Sequence, residues 1–423
     1  MTSGAPRRLA LACQGGGSHT AFSAGALTRF FGSGAVTADE IVGISGTSGG
    51  AINALITWTC LIRGRPDEIG SALAGFWADN AATGPVQRLV NLVTVGAGIG
   101  QNLGLVPPLN PYLVPPAFDG REEFRSLLRR HVDFDALPVD TGGRYPRLVL
   151  GAVEVLTGEF RAFDSRRDRI TPDTVLASAA IPTLFRAIPV DGGVYWDGLF
   201  SQNPPVSQLV DDHPDEVWVL QINPSRIDRE PRTTSDIAER RNELAGNLSL
   251  NQELHGIERI DQLLESGVLA ESSGYRPIMV RVLEMPRAPG SDLLGAASKL
   301  NRDPVFLARL QREGAEQADR FLVGLALEQA WLAGDADAVA GLLRGARVTV
   351  EAPFTPFPGD PVTATAELLA REVSVDLTRK QLAGAEITWR VRVTRPDGTT
   401  VDGAATATVD GGRITTLVLG AAT

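Results

Sequence analysis

The sequence predicts an α/β domain built on a parallel sheet, followed by a small α+β domain. In the first part of the chain, short apolar runs alternate with helical patterns, starting with RLALAC at Arg8–Cys13 and a helical segment from Ser18 to about Phe31. A second apolar run at Ile41–Ser45 leads through a glycine-rich turn into another helix. Beyond about Ala315 the order changes to helices followed by alternating strands. Interleaved strands and helices favour a parallel sheet with right-handed crossovers, whereas segregated ones are typical of α+β domains.

The other segments of the first part fit the same architecture. After the glycine-rich turn, apolar spacing places one face of a helix toward the core, with Ile52, Leu55, Ile56 and Thr59 at i, i+3, i+4 and i+7. Two Asp-Gly pairs, at Asp191 and Asp197, mark turns around a short strand. The pattern further predicts a helix after Pro66, a helix at Arg121–Val132, a β pair at Arg147–Val155 and Glu159–Phe163, a helix from Pro172 to about Ala179, a strand at Glu216–Ile222, a long polar helix from Thr233 to about Leu269 and a strand at Pro277–Leu283.

The second part carries its own set of predicted elements. A helix runs through Trp331 and is followed by a short helix to Leu343. Strands are predicted at Arg347–Glu351, Glu386–Thr394, Gly403–Val409 and Arg413–Leu419. We therefore expect a first domain at residues 1–310 and a second at residues 311–423.

Composition limits the function classes. The chain has 423 residues and a net charge of −10, which argues against nucleic acid as a partner. Cys13 and Cys60 are the only cysteines, so neither a disulfide framework nor a zinc cluster is expected, and no metal or organic cofactor is implied. The apolar run at Leu9–Cys13 is too short for a signal-peptide core, so the expected location is the cytoplasm, with peripheral contact at the inner membrane as a secondary expectation.

One long stretch, Leu89 to Ala117, contains no charged residue. Its length would suffice to cross a bilayer, but the many glycines and prolines from Gly96 to Pro116 argue against one continuous helix. Two interpretations stay open. The stretch is either a buried irregular connection or a mobile apolar flap over a pocket for an acyl chain.

The candidate nucleophile is Ser48. It lies in Gly46–Gly50, between a predicted strand and a predicted helix, and this is the G-x-S-x-G layout of a nucleophile elbow. Glycines at both flanks fit the layout because a Cβ there would crowd the strand–helix crossing. A serine at the helix N-terminus would also stand where free N–H groups favour negative charge. Short Gly/Ser motifs also occur by chance in plain strand–helix turns, so the motif alone leaves both interpretations open.

A second glycine-rich turn follows the first strand. The residues are Gly15, Gly16 and Gly17. Unpaired N–H groups at such a junction form an anion site, and the carboxyl ends of neighbouring parallel strands meet at one edge of a sheet. We therefore expect this loop to face the elbow. Dinucleotide binding is disfavoured because Thr20 stands where a third glycine belongs, and because Asp39 and Glu40 precede the second strand.

A serine nucleophile that takes part in acyl transfer needs a base to accept its proton. The histidines are His19, His131, His213 and His255. A triad in the order serine, acid, histidine could use Asp197 followed by His213 or His255. However, His213 lies in an acidic turn and His255 in a polar helix, so surface positions are favoured for both.

These motifs together resemble the patatin-like phospholipases. The resemblance rests on the glycine turn Gly15–Gly17, the elbow Gly46–Gly50, and Trp196–Gly198 followed by Asn203–Pro205. The segment Ala177–Pro182 is also similar to the family's sequence upstream of its aspartate. Three motifs in the family's order make the match specific.

The resemblance spans about Arg8 to Leu283 and implies a patatin-like parallel-sheet domain of the α/β hydrolase type with helices on both faces. It implies a Ser–Asp dyad without histidine, in which Ser48 is the nucleophile and Asp197 the base. The implied oxyanion hole consists of the backbone N–H groups of Gly15, Gly16 and Gly17. Asp191 competes for the role of base, because Asp191-Gly192-Gly193 matches the family's Asp-Gly-Gly string more literally. We favour Asp197 for its Trp and Asn-Pro context and interpret Asp191 as a turn residue.

Two positions depart from the family's pattern. Leu199 replaces the usual Gly or Ala, which a turn tolerates where φ is negative. His19 stands where the family usually has Arg or Lys after the glycines. A neutral imidazole there would give less help to a phosphate or to the oxyanion loop, which puts phospholipid specificity in doubt.

The C-terminal part resembles a second family, the nuclear-transport-factor-2 superfamily of cone-shaped α+β domains. The resemblance rests on Ala330–Val339, Val350–Phe354 and Asp410–Ile414. It implies an interaction role for this domain, with a homodimer through it as one expectation.

The expected function is therefore that of a serine acyl hydrolase (a carboxylic ester hydrolase) acting on phospholipid, lysophospholipid or related lipid esters. The alternative is a non-catalytic lipid-binding or scaffold protein on the same fold.

Overall fold

The structure is a computed structural model. It describes residues 6–102, 110–113, 120–182, 184–227, 229–286, 296–354, 359–375, 379–383, 386–394 and 399–421. The chain divides into two compact units, each considered by itself below. The first unit comprises Met1–Ile278 and Arg287–Ala315, and the second comprises Met279–Pro286 and Glu316–Thr423.

The first unit is an α/β unit with a mixed sheet. Its strands are β1 (Leu9–Cys13), β2 (Ile41–Thr47), β3 (Arg147–Glu154), β4 (Phe160–Asp164), β5 (Ile188–Val190), β6 (Gly193–Asp197) and β7 (Glu216–Gln221). They follow the order β5-β6-β3-β2-β1-β7, and β4 pairs with β3. Strands β7, β1, β2 and β3 are parallel, as the sequence predicts. Strands β4, β5 and β6 add antiparallel pairs, so the sheet of this unit is parallel from β7 to β3 and antiparallel beyond β3.

The helices of this unit connect and flank the strands. They are α1 (Ala21–Gly32), α2 (Gly49–Ile62), α3 (Ile69–Asn80), α4 (Pro85–Asn102), α5 (Arg121–His131), α6 (Pro172–Ala179), α7 (Ser207–Val210) and α8 (Thr234–Glu265). Strand β1 and most of α2 are fully buried, because nearly every side chain in them is apolar or small.

Strand register brings the predicted functional loops to one edge of the sheet. Cys13 at the end of β1 pairs with Gly46 of β2 on one side and with Leu220 of β7 on the other. The glycine turn after β1, the elbow after β2 and the residues after β7 therefore leave the sheet at the same edge. This is the edge at which ligands bind in open parallel sheets.

The uncharged stretch is helical over its first half. Helix α4 continues through Gly96, Gly98 and Gly100 to Asn102, so these glycines do not end it. The remainder of the stretch falls largely on residues 103–109 and 114–119, which lie outside the described residues. Within the described part of the chain, no helix combines the length and the apolar character needed to cross a membrane.

The second unit is α+β and rich in strands, as the sequence predicts. Its elements are β8 (Met279–Glu284), α9 (Pro304–Leu332), α10 (Ala336–Leu342), β9 (Arg347–Val350), α11 (Pro361–Glu372), β10 (Val373–Val375), β11 (Arg379–Ala383), β12 (Glu386–Thr394), β13 (Thr400–Asp410) and β14 (Arg413–Gly420). The division between the units falls inside α9, after Ala315. The strands follow the order β8-β11-β12-β13-β14-β9, and β10 pairs with β12.

A buried polar cluster lies in the core of the second unit. Glu328 accepts hydrogen bonds from both sides, from Arg281 at 2.8 and 3.0 Å and from the Trp389 ring N–H at 2.8 Å. The Trp331 ring packs edge-on against Trp389 and donates to the Val373 carbonyl at 2.9 Å. Because the buried charges are paired and hydrogen bonded, the cluster can replace apolar packing at this position.

Candidate active site

Ser48 stands at a strained turn between β2 and α2. Its φ of 57° and ψ of −127° are unusual for a residue other than glycine. The surrounding structure holds it there. The Ser48 N–H is shared between the carbonyl oxygen of Ser178, at 3.0 Å, and the Ser178 hydroxyl, at 3.1 Å. Ser178 in turn donates its hydroxyl proton to the Gly151 carbonyl at 2.6 Å. Strain of this kind persists only where neighbours enforce it, and it concentrates at functional sites.

The flanking glycines are required by close backbone approach. A Cβ on Gly46 would collide with the Gly50 carbonyl, and one on Gly50 would collide with the Cys13 carbonyl. The chain therefore uses glycine here because no side chain fits between β1, β2 and the start of α2. This agrees with the crowding expected of a nucleophile elbow.

Asp197 ends β6, in register with Ala152 of β3. Its backbone N–H donates to the Ala180 carbonyl at 3.0 Å, and its Oδ1 accepts the Leu199 N–H at 2.8 Å. Asp197 is 1% exposed, and its carboxylate lies near enough to the Ser48 side chain for that hydroxyl to affect its pKa. Burial raises the pKa of Asp197 from 3.8 to about 7, against the opposing effects of Leu199, Ser48 and Lys299. The serine hydroxyl and the carboxylate thus lie side by side in a desolvated position.

The glycine turn lies against the elbow. A Cβ on Gly15 would come within 2.9 Å of Ser48 Cβ and 2.6 Å of the Thr47 carbonyl oxygen. The Gly15 N–H is donated to Asn203 Oδ1 at 2.7 Å. The N–H groups of Gly16 and Gly17 have no acceptor among the described residues. Of the three predicted oxyanion donors, Gly15 is therefore engaged, and Gly16 and Gly17 are open.

Buried side-chain amides hold the glycine turn in place. Gln14 Oε1 accepts the N–H groups of Ile222 and Asn223 at 2.7 and 2.8 Å. Its Nε2 donates to Asn247 Oδ1 at 2.9 Å. Asn203, which fixes Gly15, is also fully buried. The turn is thus anchored to the end of β7 and to α8, which fixes its geometry before any ligand binds.

Lys299 is part of the site, although the sequence analysis assigned it no function. Its Nζ donates to Asn223 Oδ1 at 2.7 Å, and its carbonyl oxygen occupies the space where a Cβ of Gly17 would be. Its positive charge lowers the pKa of Asp197. A signal did exist, because lysine occurs only at positions 299 and 380 in a chain whose other cations are arginines.

His19 is buried next to the glycine turn. Its Nε2 lies 2.7 Å from the Ser298 hydroxyl oxygen. Burial, together with the charges of Lys299 and Arg309, lowers the pKa of His19 to about 3. The imidazole is therefore neutral around pH 7, and the positive charge near this turn comes from Lys299.

The other histidines lie away from this arrangement. His213 precedes β7, at the edge of the sheet opposite to the elbow, and its carbonyl accepts a hydrogen bond from Arg8 at 3.0 Å. His255 is exposed on α8 near Glu258. His131 contacts Asp79 at 3.0 Å. None of these three contacts Ser48 or Asp197 within the described structure.

Asp191 and Leu199 are placed as their sequence context predicts. Asp191 and Gly192 form the two-residue turn between β5 and β6, both with positive φ, and Asp191 is exposed. Leu199 is not among the described non-glycine residues with positive φ, so its side chain fits this turn without strain. Among described residues, no group of three or more His, Cys, Asp or Glu side chains could hold a metal ion.

Comparison with known proteins identifies the family of the first part. Residues 11–210 match the family model described as "Patatin-like phospholipase". Comparison with curated proteins gives no match. Among solved structures, VipD from Legionella pneumophila is 12% identical, with 80% of this chain and 77% of that chain covered and a TM-score of 0.34.

NTF2-like proteins of unknown function also match. One from Mesorhizobium loti is 22% identical over 24% of this chain and 88% of its own, with a TM-score of 0.20. One from Cytophaga hutchinsonii is 11% identical over 24% of this chain and 87% of its own, with a TM-score of 0.20. The family-model match, and not these structures, places a patatin-like phospholipase domain at residues 11–210.

Proposed function

We propose that this protein is a serine acyl hydrolase that cleaves lipid esters, such as phospholipid or lysophospholipid esters, through a Ser48–Asp197 dyad. The observation that carries the proposal is the placement of a serine at a strained elbow beside a buried carboxylate. The family match at residues 11–210 supports lipid as the substrate class.

The reaction would proceed through an acyl-enzyme. Asp197 accepts the hydroxyl proton as Ser48 Oγ bonds to the ester carbonyl carbon, which generates a tetrahedral oxyanion. The ester C–O bond then breaks, and the leaving alcohol takes the proton from Asp197. A water molecule, deprotonated by Asp197, attacks the acyl-enzyme, and Ser48 regains its proton as the fatty acid leaves.

The N–H groups of Gly16 and Gly17 are the proposed oxyanion donors. They are open in the structure, whereas Gly15 is held by Asn203. We assign Gly15 to fixing the turn against the elbow. Donors fixed in advance by Gln14 and Asn203 need no reorganisation when charge develops, and this is the main source of oxyanion-hole catalysis.

The raised pKa of Asp197 suits a general base. A carboxylate with its ordinary pKa of 3.8 would be a weak base, whereas one near 7 is basic and still largely ionised just above neutral pH. Burial supplies the basicity and the Lys299 charge limits it. Both effects arise from the fold.

Hydrolysis of p-nitrophenyl esters of increasing chain length tests the proposal. We expect turnover that rises with acyl length, because an acyl chain is the proposed recognition element, and covalent labelling by a fluorophosphonate. Failure of both assays in folded protein would favour the non-catalytic lipid-binding alternative.

Lys299→Met should shift the pH dependence of activity. The Lys299 charge stabilises ionised Asp197, so its loss raises the Asp197 pKa and moves the acid limb of kcat/KM to higher pH. Lys299→Arg keeps the charge and should keep the limb near its original position. A folded Lys299→Met variant with an unchanged acid limb would remove Lys299 from the proposed electrostatics.

A further inference from the structure

Helix α4 presents its apolar side outward. Val86, Leu89, Val90 and Val93 recur at i, i+3, i+4 and i+7, which places them on one face of the helix. Their exposed fractions range from 50% to 74%. Leu92 and Ile99, beside this face, are also exposed. We call the face formed by Val86, Leu89, Val90 and Val93 the α4 stripe.

The side of α4 that contacts the protein is marked by Asn91 and Gly98, with the half-buried Val95 next to them. Asn91 accepts the Arg302 N–H at 2.8 Å and donates to Asn301 Oδ1 at 3.0 Å. Gly98 lies against Ala297. In a surface helix of a soluble protein the apolar face normally turns inward. In α4 the apolar stripe faces away from the protein. A binding partner is therefore expected to cover it.

The charges near the α4 stripe indicate what kind of partner binds it. Between Asp79 and Asp119 the sequence holds one charged residue, Arg88, in a chain whose net charge is −10. This stretch of the chain therefore contributes no carboxylate, a group that would resist burial against lipid and repel phosphate headgroups. The exposed side chains of Tyr112 and Leu113 extend the same uncharged stretch. A stretch free of carboxylates, with one cation and outward aliphatic side chains, fits a lipid surface.

The packed side of α4 leads to the candidate active site. The segment Ala297–Arg302, which α4 contacts, carries Ser298 next to His19 and Lys299 next to Gly17. The α4 stripe thus belongs to a layer built directly onto the glycine turn. A lipid surface bound to the α4 stripe would therefore lie on the side of the molecule where α4 and Ala297–Arg302 pack over the glycine turn.

We propose that the α4 stripe docks this protein on a lipid surface and so delivers its substrate. The choice of a lipid surface over a protein partner rests on the proposed function, because a hydrolase of lipid esters must reach molecules held in an aggregate. The helix lies in the interface and does not span it, in keeping with its length and composition.

Vesicle sedimentation tests the docking. Wild-type protein should sediment with vesicles of phosphatidylcholine and phosphatidylglycerol, and the double variant Leu89→Asp, Val93→Asp should bind at least about tenfold more weakly, because two apolar contacts become charged. The matched control is Leu156→Asp, Val268→Asp, which changes the same residue types at exposed positions of the same unit. The control should sediment like wild type.

Activity measurements separate the docking proposal from the proposed function. The α4 double variant should hydrolyse a short water-soluble ester at the wild-type rate and vesicle lipid far more slowly. Equal vesicle binding by all three proteins, or no binding by wild type, would overturn the docking proposal. A self-association that the α4 variant alone loses, without vesicle binding, would assign the stripe to a second copy and would also overturn it. If wild type hydrolyses no ester at all, the proposed function fails, and the sedimentation result still decides the docking.

Discussion

Ser48→Ala should lower kcat/KM by at least about 10⁴-fold, since removal of the nucleophile leaves only the oxyanion donors and binding to act on the substrate. The hydroxyl is the one atom that would bond to the carbonyl carbon, and it lies beside the buried Asp197 carboxylate. The measurement is kcat/KM on a p-nitrophenyl ester, with fluorophosphonate labelling as a second readout. The variant should fold, because the backbone N–H that binds Ser178 is retained.

The matched control is Ser45→Ala. Ser45 lies three positions upstream in β2, is fully buried, and its hydroxyl has no hydrogen-bond partner among the described residues. Its removal deletes a hydroxyl from the strand that leads into the elbow without breaking a hydrogen bond, so activity should stay near wild type. Residual labelling of Ser48→Ala by the fluorophosphonate would show that another serine is the activated one.

Local features of the candidate site could be predicted from sequence because each is determined by a few consecutive residues. At Gly46 the elbow requires glycine because a Cβ there would collide with the carbonyl of Gly50, four residues further along the chain. The turn at Asp191-Gly192 follows from a two-residue connection between strands. The choice of Asp197 over Asp191 as a candidate base remains a prediction, although of the two only Asp197 is buried and lies beside Ser48.

The long-range partners could not be predicted in the same way. Ser178 holds the Ser48 N–H, Asn203 holds Gly15, and Lys299 sets the charge near Asp197. Each lies far along the chain from the group it contacts, and no periodicity or spacing encodes such a contact. Lysine is rare in this sequence, which draws attention to Lys299, but its rarity does not indicate which residues it contacts.

Helix α4 shows a different limit of sequence reasoning. The glycines at 96, 98 and 100 weigh against a helix, yet the helix reaches Asn102. A glycine costs about 1 kcal/mol relative to alanine inside a helix, and contacts such as those of Asn91 with residues 301 and 302 can offset such a cost. Propensity alone therefore does not locate the end of the helix.

Burial changes what a pH profile can reveal about the base. A histidine base would titrate near 6.5, and an ordinary carboxylate near 4. Because burial raises the pKa of Asp197 to about 7, a Ser–Asp dyad in this protein should also lose activity as pH falls through about 7. The acid limb thus falls in the same range for a dyad and for a triad. Substitutions must decide between them.

Asp197→Asn should lower kcat/KM on the order of 10⁴-fold, because an amide cannot accept the serine proton. Asp191→Asn, His213→Ala and His255→Ala should remain close to wild type, since these side chains are exposed or lie away from Ser48. The comparison uses kcat/KM on one soluble ester for all variants. A histidine variant as inactive as Ser48→Ala, alongside an active Asp197→Asn, would exclude the dyad and the roles carried over from the family.

The stability of Asp197→Asn supplies the folding control, and its sign follows from the raised pKa. The folded protein holds the Asp197 proton more tightly than the unfolded chain, so ionisation of this group weakens folding as pH rises from about 4 to about 7. Asparagine does not ionise, so the variant should melt at or above the wild-type temperature near pH 8, with the advantage shrinking toward pH 4. An inactive variant that is more stable than wild type at high pH cannot owe its inactivity to unfolding. Such a result would leave the loss of the proton acceptor as the cause.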